Sequence, residues 1–230
     1  MNNKRKMVIC LADFVVEVNH QYSALQKQCE GYKTEDYSEV DLSVCIEPED
    51  IHKEAESLAA YRQIGEGLPA YDALILHAAV VAVDGWGYAF LAPSGTGKST
   101  HVALWRKFFG EKAIIVNGDK PIVRRRNGVF YAYGTPWCGK EGWQTNMGVP
   151  LAGLCFLHRG TTNRIAPVEG GSVVSALLNQ VYRPRDRAML KDTLDLLEDL
   201  LKKVPCYALW CDRTLEAAQV AYGGMVKDED

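Results

Sequence analysis

Residues 92–99 read Ala-Pro-Ser-Gly-Thr-Gly-Lys-Ser, which places glycines, a lysine and a hydroxyl at the spacing that binds a polyphosphate. Gly95 and Gly97 let the backbone turn so that successive N–H groups point inward at phosphate oxygens. Lys98 can reach the outer phosphates, and the Ser99 hydroxyl can bind a magnesium ion. The sequence therefore predicts a nucleotide-binding loop made of Pro93, Ser94, Gly95, Thr96, Gly97, Lys98, Ser99 and Thr100.

The elements on either side of this loop are the ones that such a loop requires. Residues 86–91 (Trp-Gly-Tyr-Ala-Phe-Leu) are a short apolar and aromatic run typical of a strand. After the loop, residues 100–109 carry apolar side chains suited to a helix, and a helix starting at Gly97 would add the positive end of its dipole. The alternative is a glycine-rich turn with an incidental lysine, but the order strand, glycine loop, helix favours phosphate binding.

A second group that could take part in the chemistry is the carboxylate of Asp119. It follows an apolar strand, residues 113–116, that comes after the helix of the loop. A strand–helix–strand unit brings neighbouring strand ends to the same sheet edge, so we expect Asp119 near Lys98 and Ser99. There it could bind magnesium together with Ser99, or accept a proton from an attacking hydroxyl. The alternative is a solvated aspartate in an Asn-Gly-Asp turn.

Two other places in the sequence hold candidate functional groups. His77 lies in an apolar run, where it is either a catalytic group or a histidine packed in the core. The loop of residues 134–143 contains two tryptophans together with Lys140 and Glu141, and it could form a lid or a groove for an acceptor. The alternative for this loop is a structured hairpin with buried indoles. The candidate catalytic residues are thus Lys98, Asp119, His77 and Glu141.

Composition restricts the class of protein. The 230 residues are 47% hydrophobic and 24% charged, which suits a folded enzyme of one domain or two. A net charge of −3 and a pI near 6.0 argue against a general affinity for nucleic acid. The basic first residues precede an apolar run that is too short for an export signal or a membrane span. Seven scattered cysteines without a C-x-x-C motif indicate reduced thiols in the cytosol.

The patterns divide the chain into a small N-terminal α+β part, residues 1–68, and a core of residues 69–230. The segment 65–69, rich in glycine and ending in proline, is the expected boundary. In the first part, every second residue from Val8 to Val18 is apolar, which predicts a half-buried strand or a hairpin. The other elements predicted there are a short helix from Ser23, a strand over residues 42–46 and a helix over residues 48–62 with Pro48 in its first turn.

The core is predicted to contain both strands and helices. Its strands are expected at residues 73–83, 86–91, 113–116, 121–126, 129–133 and 151–157, and its later helices at residues 172–182, 186–203 and 214–225. Asp84-Gly85 and Asn127-Gly128 are tight turns that make hairpins of the strands beside them. An apolar stripe in the helix at 186–203 is expected to pack in the core rather than bind a cofactor, and it consists of Leu190, Leu194, Leu197, Leu201 and Val204.

Three motifs together resemble the HPr kinase/phosphorylase family. They are Leu-His-Ala-Ala-Val-Val-Ala-Val-Asp-Gly at residues 76–85, the glycine loop at residues 92–99, and Ile-Val-Asn-Gly-Asp at residues 115–119. The run Ser-Gly-Thr-Gly-Lys is also similar to ATP-dependent phosphoenolpyruvate carboxykinase, whose nucleotide-binding fold that family shares. The resemblance covers residues 72–160 and implies an α/β fold. Its core would be a phosphoenolpyruvate carboxykinase-like P-loop core with a bent mixed sheet flanked by helices.

The resemblance also implies an activity and its cofactors. Family members transfer the terminal phosphate of ATP to a serine hydroxyl with the help of magnesium, and some compact relatives phosphorylate small peptides. Carried over to this chain, Lys98 would bind the β- and γ-phosphates and Ser99 the metal. A carboxykinase activity is less favoured, because the chain is less than half the usual length of such enzymes and shows no set of oxaloacetate-binding residues.

One position departs from the family pattern. His77 matches a histidine that ends a strand beside the active site, and Asp119 matches the second of two adjacent acidic residues. Gly118 stands where the first acidic residue of that pair is expected. The group that accepts the proton of the incoming hydroxyl is therefore open among Asp119, His77 and Glu141.

The sequence as a whole predicts a cytoplasmic kinase that uses ATP and Mg²⁺ to phosphorylate a hydroxyl, most simply a serine of a peptide or small protein. Three other functions stay open. They are a small-molecule kinase of the same fold, a regulatory ATP-binding module with little turnover, and a phosphorylase or pyrophosphate-using activity. Neither a nucleic acid nor a membrane is expected as a partner, and a homo-oligomer is left open because the relatives assemble as oligomers.

Overall fold

The computed structural model describes residues 5–35, 39–46 and 53–226. These residues form a mixed α/β fold. Its helices are α1 (Ser23–Gln28), α2 (Lys53–Gly67), α3 (Lys98–Phe109), α4 (Gly171–Leu178), α5 (Arg187–Lys203) and α6 (Leu215–Met225). Its strands are β1 (Arg5–Leu11), β2 (Phe14–His20), β3 (Leu42–Cys45), β4 (Ala73–Ile75), β5 (Ala78–Val83), β6 (Trp86–Leu91), β7 (Ile114–Asn117), β8 (Ile122–Arg126), β9 (Val129–Tyr133), β10 (Gly148–Arg159), β11 (Arg164–Pro167) and β12 (Cys206–Cys211).

The first three strands form a small sheet in the order β1-β2-β3. β1 and β2 are an antiparallel hairpin in which Leu11 pairs with Phe14 across a turn at Ala12 and Asp13, both with positive φ. The predicted alternative of a hairpin is therefore observed. The turn shifts the alternation, so the residues of β1 that enter the apolar cluster are the odd-numbered ones, although Val8 is buried as well. The side chains that enter the apolar cluster of this sheet are Met7, Ile9, Leu11, Phe14, Val16 and Val18.

The segment proposed as a domain boundary is helical in its first part. α2 extends beyond the predicted end at residue 62 to Gly67, and its predicted start at Pro48 lies outside the described residues. A Cβ at Gly65 would lie 2.8 Å from the ring of Tyr182, and one at Gly67 would lie 2.7 Å from Leu42. These glycines therefore allow α2 to pack closely against its neighbours. The division into two domains stays a prediction.

The other strands form a nine-stranded mixed sheet. Seven of them follow the order β4-β8-β9-β10-β6-β5-β7, and β12 pairs with β10 and β11. β10 produces the curl of the sheet, because its first residues pair antiparallel with β9 and its later residues pair in parallel with β6 and β12. The register shifts between Leu151 and Gly153, where this change of partner occurs. A curled mixed sheet with flanking helices agrees with the sequence prediction.

Helices cover both faces of the large sheet. Val80 of β5 packs in an apolar cluster with residues of α4 and α5, and its neighbour Val81 packs in a second cluster with residues of α3 and α6. This alternation between two buried faces is typical of a central strand. Within the described part of the chain, no helix has the length and apolar character needed to cross a membrane.

Residues 73–83, predicted as one strand, form the two strands β4 and β5. β4 pairs with β8, whereas β5 pairs with β6 and β7. The break falls at Leu76 and His77, whose N–H groups donate to the carbonyls of Pro121 at 3.1 Å and Gln180 at 2.6 Å. His77 therefore lies at a break between two strands, which is also where the candidate site forms.

The sequence patterns do not predict β11 or β12. β11 is only four residues long. β12 contains no β-branched residue, although its Tyr207 and Trp210 favour a strand.

The sequence patterns place Leu197, Leu201 and Val204 of the α5 stripe correctly against the core, but they are wrong for Leu194 and miss Thr193. In α5, Leu194 is 45% exposed, whereas Thr193 is fully buried with its hydroxyl donating to the carbonyl of Met189 at 2.7 Å. A count of apolar residues does not identify Thr193 as buried, because the hydroxyl of this residue is paired with a carbonyl of its own helix.

Two adjacent glycines at the end of α6 test how this helix packs on β11. A Cβ at Gly224 would lie 2.3 Å from Cγ2 of Ile165, whereas one at Gly223 would meet nothing within 4 Å. Gly224→Ala should lower the free energy of unfolding by about 1–3 kcal/mol through overpacking. Gly223→Ala should raise it by about 0.5–1 kcal/mol, because alanine is the better helix former. Urea unfolding measures both, and shifts of equal sign and size would contradict this packing.

Candidate functional site

The loop between β6 and α3 has the backbone that its sequence predicts. Gly95 and Gly97 have φ angles of +78° and +125°, which favour glycine, and Lys98 follows as the first residue of α3. A Cβ at either glycine would meet nothing within 4 Å, so the space beside them is open. The guanidinium of Arg159 donates to the Gly95 carbonyl at 2.7 Å, which ties the loop to the end of β10.

The amine of Lys98 is directed into the protein rather than into solvent. The residue is only 8% exposed, and its Nζ donates to the carbonyl of Ala92 at 2.8 Å. The same Nζ lies 2.9 Å from Nε2 of His77, and this Nε2 lies 3.2 Å from Oδ1 of Asp119. Three predicted site residues from separate parts of the chain are therefore in contact.

His77 offers one ring nitrogen to two groups of opposite charge. Nε2 can accept a hydrogen bond from Lys98, or it can carry a proton and donate to Asp119, but it cannot do both at once. The arrangement therefore has two hydrogen-bonding states that differ in which partner His77 serves. A change in the charge near Lys98 would shift the balance between these states.

Burial and neighbouring charges shift the pKa values of Lys98 and Asp119. Burial lowers the pKa of Lys98, and the charge of Asp119 opposes part of that effect. Burial alone would raise the pKa of Asp119, but the hydrogen bond from His77 and the charges of Lys120, His77 and Lys98 outweigh it. The net pKa of Asp119 is below its ordinary value of 3.8, so the carboxylate is ionised at neutral pH. An ionised carboxylate suits either a metal ligand or a proton acceptor.

The position of Asp119 is set by Asn117, a residue whose part in the site the sequence analysis does not predict. Asn117 is fully buried, and its Oδ1 accepts the N–H groups of Asp119 at 2.9 Å and Lys120 at 2.7 Å. Its Nδ2 donates to the carbonyl of Thr135 at 3.0 Å. The Asn-Gly-Asp sequence thus makes a turn, as the alternative interpretation held, but this turn directs Asp119 at Lys98 and His77. A buried asparagine at the end of a strand was the signal that could have indicated this role.

Most of the predicted site residues line one cavity of about 450 Å³. It brings the glycine loop and the start of α3 together with His77, Asp119 and the turn at Lys140 and Glu141. Pro93 and Thr96 line two neighbouring cavities instead. The members of the central cavity that the sequence predicts are His77, Ser94, Gly95, Gly97, Lys98, Ser99, Thr100, Asp119, Lys140 and Glu141.

The loop that carries Lys140 and Glu141 is held in place by the N-terminal part of the chain. The indole N–H of Trp137 donates to the carbonyl of Ser57 at 3.1 Å, and the Gln28 amide donates to the carbonyl of Pro136 at 3.1 Å. Both tryptophans of this loop, Trp137 and Trp143, are half-buried. This burial is what a structured hairpin predicts, whereas a free lid would leave the indoles exposed. These contacts join residues about 80 to 108 positions apart, and no local pattern predicts them.

The structure gives a physical reason for the glycine at position 118, where the HPr kinase/phosphorylase pattern has an acidic residue. A Cβ at this position would lie 2.7 Å from the carbonyl oxygen of Cys138 and 3.4 Å from that of Trp143. The N–H of Gly118 also donates to the Trp143 carbonyl at 2.9 Å. Because the loop passes so close, no side chain fits at residue 118. A second carboxylate beside Asp119 is therefore excluded by packing.

Comparison with known proteins assigns the family. The model of the family described as SynChlorMet cassette protein ScmC matches residues 58–215, which is more than half of the chain, so the chain belongs to the ScmC family. No curated protein is significantly similar to it. The structure of the Hpr(Ser) kinase/phosphatase from Coxiella burnetii is similar over 65% of this chain and 95% of that chain, at 10% identity and a TM-score of 0.39. A likeness this distant assigns neither an activity nor a detailed fold.

The pKa of Asp119 predicts how the site affects stability in acid. Because the folded pKa is lowered, the ionised carboxylate stabilises the folded chain above about pH 4, and this contribution is lost as the pH falls through the lowered pKa. Asp119→Asn removes the titration. The free energy of unfolding of the parent chain, minus that of the variant, should therefore decrease as the pH falls from about 6 to about 3. Urea unfolding across this range measures it, and a difference independent of pH would contradict the charge arrangement.

Proposed function

We propose that this member of the ScmC family is a kinase that uses ATP and Mg²⁺ to phosphorylate a hydroxyl, specifically a serine of a peptide or small protein. The observation that carries the proposal is the contact among Lys98, His77 and Asp119 at the mouth of the glycine loop. In this proposal, the curled sheet with its loop and α3 is a P-loop core of the phosphoenolpyruvate carboxykinase type.

The loop fits a triphosphate in its shape and charge. The open space beside Gly95 and Gly97 leaves room for phosphate oxygens, and the free N–H groups at the start of the twelve-residue helix α3 provide a partial positive charge. Lys98 adds a full charge at the same end. A phosphate that bound its Nζ would draw the amine away from His77, and Nε2 could then donate to Asp119.

The donor set also fits a magnesium ion. Ser99 and Asp119 line the same cavity and supply a hydroxyl and a carboxylate oxygen, the hard donors that Mg²⁺ prefers. Among the described residues, no group of three or more His, Cys, Asp or Glu side chains could hold a metal by itself. This fits Mg²⁺, which commonly takes one or two carboxylates and completes its shell with phosphates and water. When bound, the ion would neutralise the charge that develops on the transferred phosphoryl group.

The chain's own residues would position the acceptor and receive its proton. Asp119 is ionised and is held by Asn117 and His77, so it can accept a hydrogen bond from an incoming hydroxyl. His77 and Glu141 line the same cavity and are the other two candidates. Gly118 is not one of them, because its position has no room for a side chain. Such a site would act mainly by positioning and by charge neutralisation.

Lys98→Ala tests the proposal. Loss of its ammonium should lower the rate of phosphoryl transfer from ATP to a serine peptide by at least ~10²-fold. The loss of one donor that stabilises charge in the transition state has an effect of this size in other enzymes. Lys107→Ala is the matched control, because Lys107 is an exposed lysine at the far end of α3. Transfer of labelled phosphate from ATP measures both variants. Unchanged turnover in Lys98→Ala would contradict the proposal.

The same assay separates the other functions of this fold. Transfer to free serine or sugars but not to peptides would indicate a small-molecule kinase. Tight ATP binding without any phosphorylated product would favour a regulatory module, a function that the missing carboxylate at Gly118 keeps open. Product formed from pyrophosphate instead of ATP would reveal a pyrophosphate-using activity.

A further inference from the structure

A second cavity adjoins the first residues of the glycine loop. Its volume is about 290 Å³, and it lies between Pro93, the end of β10 at Phe156 and one face of α4. Val173 and Ala176 supply that face, and the lining residues include no acidic side chain and no lysine or arginine. The cavity therefore suits an uncharged, apolar group rather than a phosphate.

Gln180 lines this cavity and is only 9% exposed. Its Oε1 is buried beside the cavity and has no hydrogen-bond partner among the described residues. A buried carbonyl of this kind costs free energy unless a donor reaches it. Gln180 and the neighbouring Asn179 both line the cavity, so two side-chain amides lie at one side of a mainly apolar lining. An apolar side chain attached to a peptide N–H would satisfy both features.

The backbone connects this cavity to the candidate site. The carbonyl of Gln180 accepts the N–H of His77 at 2.6 Å, and His77 is in contact with Lys98 and Asp119. Ala92, which also lines the cavity, accepts a hydrogen bond from Nζ of Lys98 at 2.8 Å. The cavity therefore adjoins the lysine end of the loop, which binds the outer phosphates in loops of this kind.

The other cavity beside the loop has a different character. Its volume is about 260 Å³, and it meets Thr100 and His101 in the first turns of α3. Arg159, Arg213 and Asp212 line it, so it carries charged side chains with an excess of arginine, whereas the lining of the first cavity includes no acidic side chain and no lysine or arginine. Lys98 is not among its lining residues, so we assign this cavity to the rest of a nucleotide. The cavity at Gln180 is left for the acceptor.

We propose that the cavity between Pro93, Val173, Ala176 and Gln180 binds an apolar side chain of the peptide acceptor, close to the serine that is phosphorylated. In this proposal the Gln180 side chain turns toward the cavity, so that its buried amide oxygen accepts a backbone N–H of the same peptide. This inference rests on the proposed kinase function and names the acceptor class, a serine peptide with a leucine-like residue near the serine.

Peptide binding tests the inference without requiring turnover. The probes are fluorescent heptapeptides with a central alanine in place of serine and one leucine at each flanking position in turn, and the reference has alanine throughout. With Mg²⁺ and a non-hydrolysable ATP analogue present, at least one leucine peptide should bind ~10-fold more tightly than the reference, as burial of one leucine side chain provides. Equal affinities for all peptides would overturn the inference.

Two variants of the cavity sharpen the test. Ala176→Leu fills the space and should abolish the preference for leucine, whereas Val174→Leu, on the exposed side of the same helix, should keep it. Gln180→Met removes the unpartnered oxygen, so it should weaken peptide binding while leaving the folded chain at least as stable in urea. A residue with only a structural role would instead lose stability.

The outcomes separate this inference from the kinase proposal. If Ala176→Leu weakens the ATP analogue and leaves the leucine preference intact, the cavity belongs to the nucleotide and the inference is wrong. If the leucine preference is present but the matching serine peptide is never phosphorylated by ATP, the acceptor cavity stands and the kinase proposal fails. If serine peptides are phosphorylated without any preference for leucine, the kinase proposal stands and the inference fails.

Discussion

A largely buried lysine amine and an ionised carboxylate that compete for one histidine nitrogen are the arrangement on which the site depends. An ammonium removed from water is costly unless polar groups surround it. Lys98 finds such groups in the Ala92 carbonyl, in His77 and in the nearby charge of Asp119. Taking away a partner would leave the buried Lys98 amine with less compensation. The rest of the core can be understood as the scaffold that holds these three side chains in place.

That scaffold combines parts that are far apart in the sequence. The break between β4 and β5 places His77, the end of β7 with Asn117 places Asp119, and the start of α3 places Lys98. The loop after β9 then closes over Gly118, and the N-terminal part of the chain holds this loop through Trp137. Helices α1 and α2 of the N-terminal part therefore contribute to the site, although none of their described residues lines the central cavity.

The sequence predicts the local features of this site well, because each has a strong local signal. The glycine loop, the hairpin turn at Asp84 and the helix after the loop depend on neighbouring residues and are observed. The sequence does not predict the interruption at His77, because its cause is a pair of hydrogen bonds to Pro121 and Gln180. It also gives no reason for Gly118, whose cause is a loop some 20 residues further along the chain. Contacts made across the fold leave no periodic pattern, so they have to be read from the structure.

Calorimetric titration with ATP and with AMP, each with and without Mg²⁺, tests the central claim most directly. If the loop binds a triphosphate through Lys98, Ser99 and Asp119, ATP should bind one site per chain, its affinity should depend on Mg²⁺, and AMP should bind at least ~10-fold more weakly because it lacks the outer phosphates. Equal affinities for ATP and AMP, or no binding of ATP at all, would contradict the account.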